Sequence, residues 1–158
     1  MDGISINASY EPTGSGTNSA TGFGVTYTGI EGLSVSYASG DDSTVAAADA
    51  TVLKGSYAYG PVTVAYSDYE YDTAATTNDD DMTAYKVTYT VSDELSIAYA
   101  SEDIDTGTKS ADYNEVSVAY TTGGMTISAS MGEANNRDGT TTATMDNERW
   151  ALGASFAF

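Results

Sequence analysis

The 158-residue chain carries 23 Asp and Glu against 5 Lys and Arg and no His, giving a net charge of -18 and a pI near 4.1. Binding phosphate requires a basic footprint, so nucleic acid is excluded as a partner. Without His or Cys the chain also lacks the usual zinc ligands, the Ser-His and Cys-His nucleophile pairs and any disulfide framework, which removes most enzyme classes.

The residue pattern repeats with a period of two. Its apolar members are Ile4, Ile6, Ala8 and Tyr10; Phe23, Val25 and Tyr27; Leu33, Val35 and Tyr37; then Leu53, Tyr57 and Tyr59 with Gly55 between them. They continue with Val62, Val64 and Tyr66; Tyr85, Val87, Tyr89 and Val91; Leu95, Ile97 and Tyr99; and Val116, Val118 and Tyr120. Met125, Ile127, Ala129 and Met131, then Trp150, Leu152, Ala154, Phe156 and Phe158, complete ten predicted strands. Spacing two is the strand period, and no stretch shows the helical one. Short turns are predicted at 28–32, 60–61, 92–94 and 121–124, where Gly, Pro or Asp occurs. Longer links are expected at 11–20, 40–50, 72–81, 104–111 and 134–147. This alternation predicts an all-β, antiparallel up-and-down transmembrane β-barrel, a single barrel domain over 1–158, with short turns at one end and long loops at the other.

The alternate positions are small and polar, among them Ser5, Asn7, Ser34, Ser36, Thr63, Thr88, Ser117 and Ser128. Charge on that face is nearly confined to Lys54, Lys86, Glu115 and Arg149, which are therefore expected to line a watery lumen. A soluble sheet would normally present more Lys and Glu there. Tyr10, Tyr37, Tyr66 and Tyr99 fall late in strands running toward the long links. Tyr27, Tyr59, Tyr89, Tyr120 and Phe158 fall late in those running the other way. The two sets predict aromatic girdles at the two membrane interfaces. An external acidic mouth is expected from Asp41, Asp42, Asp72, Asp79, Asp80, Asp81, Asp103, Asp105 and Asp138. Such a mouth would concentrate cations. The acidic loops offer hard oxygen ligands for Ca²⁺, but no stretch has EF-hand spacing, and no other cofactor is expected.

The terminal run Trp150-Ala-Leu152-Gly-Ala154-Ser-Phe156-Ala-Phe158 resembles the last strand of Gram-negative outer-membrane porins. The hairpins over 22–37 and 117–127 are similar to those of alphaproteobacterial general porins. The resemblance implies a water-filled channel in the outer membrane for ions and small hydrophilic solutes, and contact with outer-membrane lipid. It further implies a homotrimer, for which Gly55 and Ala129 are the small outward-facing candidates. Trp150, Leu152, Phe156 and Phe158 would be the signal read by the barrel-assembly machinery. General porins have about sixteen strands and a constriction loop, whereas ten strands and no such loop are found here, so the chain is expected to be the C-terminal ten strands of a wider barrel. The alternatives are an outer-membrane adhesin or receptor without a channel, and a secreted acidic β-rich structural protein.

Overall fold

Ten strands form one sheet in strict sequence order, each antiparallel to the next. The computed structural model describes residues 3–12, 19–42, 48–73, 79–107, 109–136 and 146–157. The strands are β1 (Ile4–Pro12), β2 (Ser19–Tyr27), β3 (Leu33–Asp42), β4 (Ala48–Tyr59) and β5 (Val62–Asp72). They continue as β6 (Asp80–Thr90), β7 (Leu95–Thr106), β8 (Lys109–Thr122), β9 (Met125–Asn135) and β10 (Asn147–Phe156). All ten predicted strands are present. The sheet is curved but open: β1 pairs only with β2, and β10 only with β9.

Register places the aliphatic residues of neighbouring strands opposite one another, as in Ile6↔Val25, Val64↔Val87, Ile97↔Val118 and Ile127↔Ala154. A shift of one residue would carry the whole set to the other face, so the pattern itself fixes the pairing. Among the described residues no second layer covers this face. Ile6 is 67% exposed, Leu152 72% and Trp150 79%. Among the described residues the only buried apolar side chains are Ala48 and Ala111. Sheets in water bury an apolar face against another element, and this one does not. Its convex apolar surface therefore belongs in hydrocarbon or against a like surface.

The turn at one end follows from its glycines. Gly123 and Gly124 connect β8 and β9 with φ of 55° and 82°, the paired positive values of a two-residue hairpin turn that matches strand twist. Gly32, at φ 77°, faces the carbonyl of Ala58, where a side chain would collide.

At the opposite end the structure corrects the expected links. The strands run several residues past their apolar stretches, so Glu11, Pro12, Asp41, Asp72, Asp80, Asp81 and Ile104 are strand residues. The expected long link at 104–111 is a tight connection instead, with Thr106 paired to Lys109. The alternation does continue through these extensions, but its phase reverses. In Asp68-Tyr69-Glu70-Tyr71-Asp72 the acids hold the positions that apolar residues hold below, so a search for outward apolar residues ends too early.

Candidate functional site

Every described strand cation projects from one face. Lys54 pairs with Ser36 and Ser67, Lys86 with Ala65 and Ala100, Lys109 with Thr106, and Arg149 with Gly132. These positions share the parity of the small polar residues and lie opposite to the exposed aliphatic set. Glu11, Asp80, Glu102 and Glu115 share it too, so cations and acids nearly balance on the concave side. The curvature encloses a trough of about 870 Å³ across β3–β10, lined by Lys54, Lys86, Glu102, Tyr113, Glu115 and Arg149 among Ser, Ala and Gly.

Within the trough, Arg149 approaches Glu115 to 3.6 Å. The two stand two strands apart in one row, with Gly132 between them. A Cβ at Gly132 would crowd the Asn114 carbonyl and the Glu115 side chain, so glycine keeps the space open between the ion pair. The side chains remain 76% and 40% exposed, which limits the pair's contribution to stability to less than about 1 kcal/mol.

The convex face shows the opposite charge. Past the last apolar residue of each strand from β3 to β10 stand Asp41, Asp49, Asp68, Glu70, Asp72, Asp81, Asp103, Asp105, Asp112, Glu133 and Glu148. No Lys or Arg shares that face among the described strands. Many of these acids face each other directly: Asp41↔Asp49, Asp49↔Asp72, Glu70↔Asp81, Asp81↔Asp105, Asp103↔Asp112 and Glu133↔Glu148. Directly opposed like charges destabilise a sheet. Neighbouring hydroxyls offset part of this: Tyr66 Oη donates to Asp68 at 2.9 Å, Thr83 Oγ1 to Asp68 at 3.2 Å, and Thr51 Oγ1 to Glu70 at 3.3 Å.

The expected external mouth is thus redistributed. Asp41, Asp72, Asp81, Asp103 and Asp105 lie on the convex rim, and Asp80 points to the concave face. Asp42 ends β3, and Asp79 stands just before β6, accepting the Thr73 backbone N–H at 2.8 Å. Asp138 and Phe158 lie outside the described residues. No group of three or more acids is close enough to share a metal ion among the described residues.

Lys54, Lys86, Glu115 and Arg149 all line the trough. Tyr10, Tyr37, Tyr59, Tyr66, Tyr89, Tyr99 and Tyr120 are exposed, on the convex parity, and Tyr27 is half-buried there. Tyrosine hydroxyls at both ends reach polar groups beyond the apolar stretch: Tyr99 Oη donates to Asn114 at 2.8 Å, and Tyr120 Oη to Glu94 at 3.0 Å. Trp150, Leu152 and Phe156 share the convex face of β10. The sequence reading missed Glu102, Tyr113 and the apolar residues of the concave face, Val52, Tyr69, Tyr71, Met82 and Ile104. The reversed phase of the alternation was the signal that would have found them.

A family model described as Gram-negative porin matches residues 1–121. The chain belongs to the Gram-negative porins. It is an outer-membrane protein of a Gram-negative bacterium. The solved structure of OmpT, an outer membrane protein of Vibrio cholerae folded in vitro, is similar to this porin chain with a TM-score of 0.58 and 18% identity. The alignment covers 99% of this chain and 61% of the OmpT chain, so the porin sheet spans less than two thirds of that protein. No curated protein matches the chain.

Proposed function

We propose that the full protein is a passive channel through the outer membrane for ions and small hydrophilic solutes, with the concave face as its wall. The observation that carries this reading is the segregation of the two faces. A polar, charge-balanced trough backs onto an apolar surface that no described residue covers. Porin membership and the outer-membrane fold point to a channel rather than an enzyme.

Neither β1 nor β10 pairs with a further strand among the described residues, and open sheet edges are not tolerated in hydrocarbon. Further strands of a wider barrel would satisfy them. Ten strands over 61% of a chain correspond to roughly sixteen in the whole, so we read residues 1–158 as part of one such barrel domain. Family likeness supports homotrimer assembly, outer-membrane lipid as surroundings and recognition of β10 by the barrel-assembly machinery. Gly55 would suit a close contact between protomers, because nothing lies within 4 Å of a Cβ built there.

A modest cation preference follows from the acids of the rim. Their field reaches about a Debye length, ~8 Å at physiological salt and less at higher salt. The test is planar-bilayer recording of the purified full-length protein. Stepwise conductance, with a reversal potential across a KCl gradient that favours cations most in dilute salt, is the expected result. Absence of conductance would favour the adhesin reading. An anion preference at all salt concentrations would reject the rim field.

A further inference from the structure

The concave face is not polar throughout. Val52 on β4, Tyr69 on β5 and Met82 on β6 pair in one continuous row, and all three are half-buried. Two residues nearer the short turns, Lys54 stands in the next row beside Ser67, and Lys86 stands one row further beside Ala65. Strand spacing of ~4.8 Å and a rise of ~3.4 Å per residue put the Lys54 Cα about 8 Å from that of Tyr69 and about 12 Å from that of Lys86. Both ammonium groups can therefore meet over the small side chains of β5. Both lysines are exposed, and among the described residues the only ion pair is Arg149 with Glu115.

A wall that only holds water has no use for an apolar row beside two uncommitted cations. We propose that the concave face of β4–β6 binds aromatic carboxylates. The carboxylate accepts from the Lys54 and Lys86 ammonium groups, and the ring lies on Val52, Tyr69 and Met82. Charge-assisted hydrogen bonds fix the anionic end. The tyrosine ring and the thioether provide favourable contacts for an aromatic face. A cationic ring would meet two like charges. Asp80, two residues beyond Met82 on the same face and away from the lysines, disfavours a second carboxylate at the far end of the ring. The site thus selects aromatic monocarboxylates.

This proposal names a solute class for the channel reading and rests on it for access from solution. The probe is benzoate, added during planar-bilayer recording of the full-length protein, with acetate, benzylammonium and terephthalate as comparisons. Benzoate is expected to reduce the current saturably, and the other three to act at least several-fold more weakly. Lys54→Gln and Lys86→Gln should each weaken the benzoate effect about tenfold, in line with loss of one charged hydrogen bond. Tyr69→Ser and Met82→Ser should each weaken the benzoate effect at least several-fold. Equal block by acetate would reduce the site to charge alone and overturn the proposal. So would equal block by benzylammonium, or an open channel indifferent to benzoate. If no conductance is seen, the channel reading fails separately. Calorimetric titration of benzoate into the detergent-solubilised protein then decides the site: saturable heat that Lys54→Gln abolishes supports it, and no heat overturns it.

Discussion

Val87 and Thr88 are neighbours on β6 that should respond oppositely to the same substitution. Val87 lies on the convex face, between Tyr85 and Tyr89 along the strand and between Val64 and Tyr99 across it. Thr88 lies on the concave face between Thr63 and Ala98. An arginine on the lipid face of a barrel costs about 2–4 kcal/mol near the bilayer midplane, so Val87→Arg should lower the folding equilibrium roughly 30- to 700-fold. Thr88→Arg places the same side chain over a watery trough, where surface changes usually stay within about 0.5 kcal/mol. Reversible urea titration of the full-length protein in lipid vesicles measures both. A cost at Thr88 equal to or greater than that at Val87 would refute the assignment of faces, because register and parity leave no intermediate arrangement.

Asp81 faces Glu70 on one side and Asp105 on the other. Asp81→Asn removes two like-charge pairs and should stabilise the protein by about 0.4–2 kcal/mol in dilute buffer, with the gain fading in concentrated salt; vesicle titrations at two ionic strengths would show it. Gly32→Ala should cost about 1–3 kcal/mol, because φ is 77° and the new Cβ runs into the Ala58 carbonyl. Gly60→Ala, at φ 56° with nothing within 4 Å, should cost less in the same titration.

The apolar half of the pattern was largely legible. Each of the ten strands contains its apolar set with the predicted parity, except that Val91 stands just past β6 and Phe158 lies outside the described residues; membrane barrels place the constraint on single side chains and not on a packed core. Lys54, Lys86, Glu115 and Arg149 share the other parity, which puts them on the concave face. The strand extensions were not legible by that rule. In Asp103-Ile104-Asp105 and Glu70-Tyr71-Asp72 the apolar residue still alternates but occupies the concave face. A reading keyed to outward apolar residues takes such stretches for acidic loops. The pairing of Arg149 with Glu115 was also hidden, since it depends on two strands separated by a glycine at Gly132 rather than on sequence spacing.

The reversal of phase has a physical meaning beyond strand boundaries. While the convex side meets hydrocarbon, the apolar residue of each alternating pair must face outward; once it meets water, that requirement ends and the acids take its place. On β5 the change falls between Tyr66 and Asp68, and on β7 between Tyr99 and Asp103, each just past an exposed convex tyrosine. The strand cations could have neutralised the rim, yet Lys54, Lys86, Lys109 and Arg149 all stand on the other face. Among the described strands, no cation of the protein itself stands on the rim face to offset these acids. At 1 M salt the Debye length shrinks to ~3 Å, shorter than the ~5 Å between opposed residues. Facing acids that repel in dilute buffer are then largely screened, so the rim is more stable in concentrated salt than in dilute buffer.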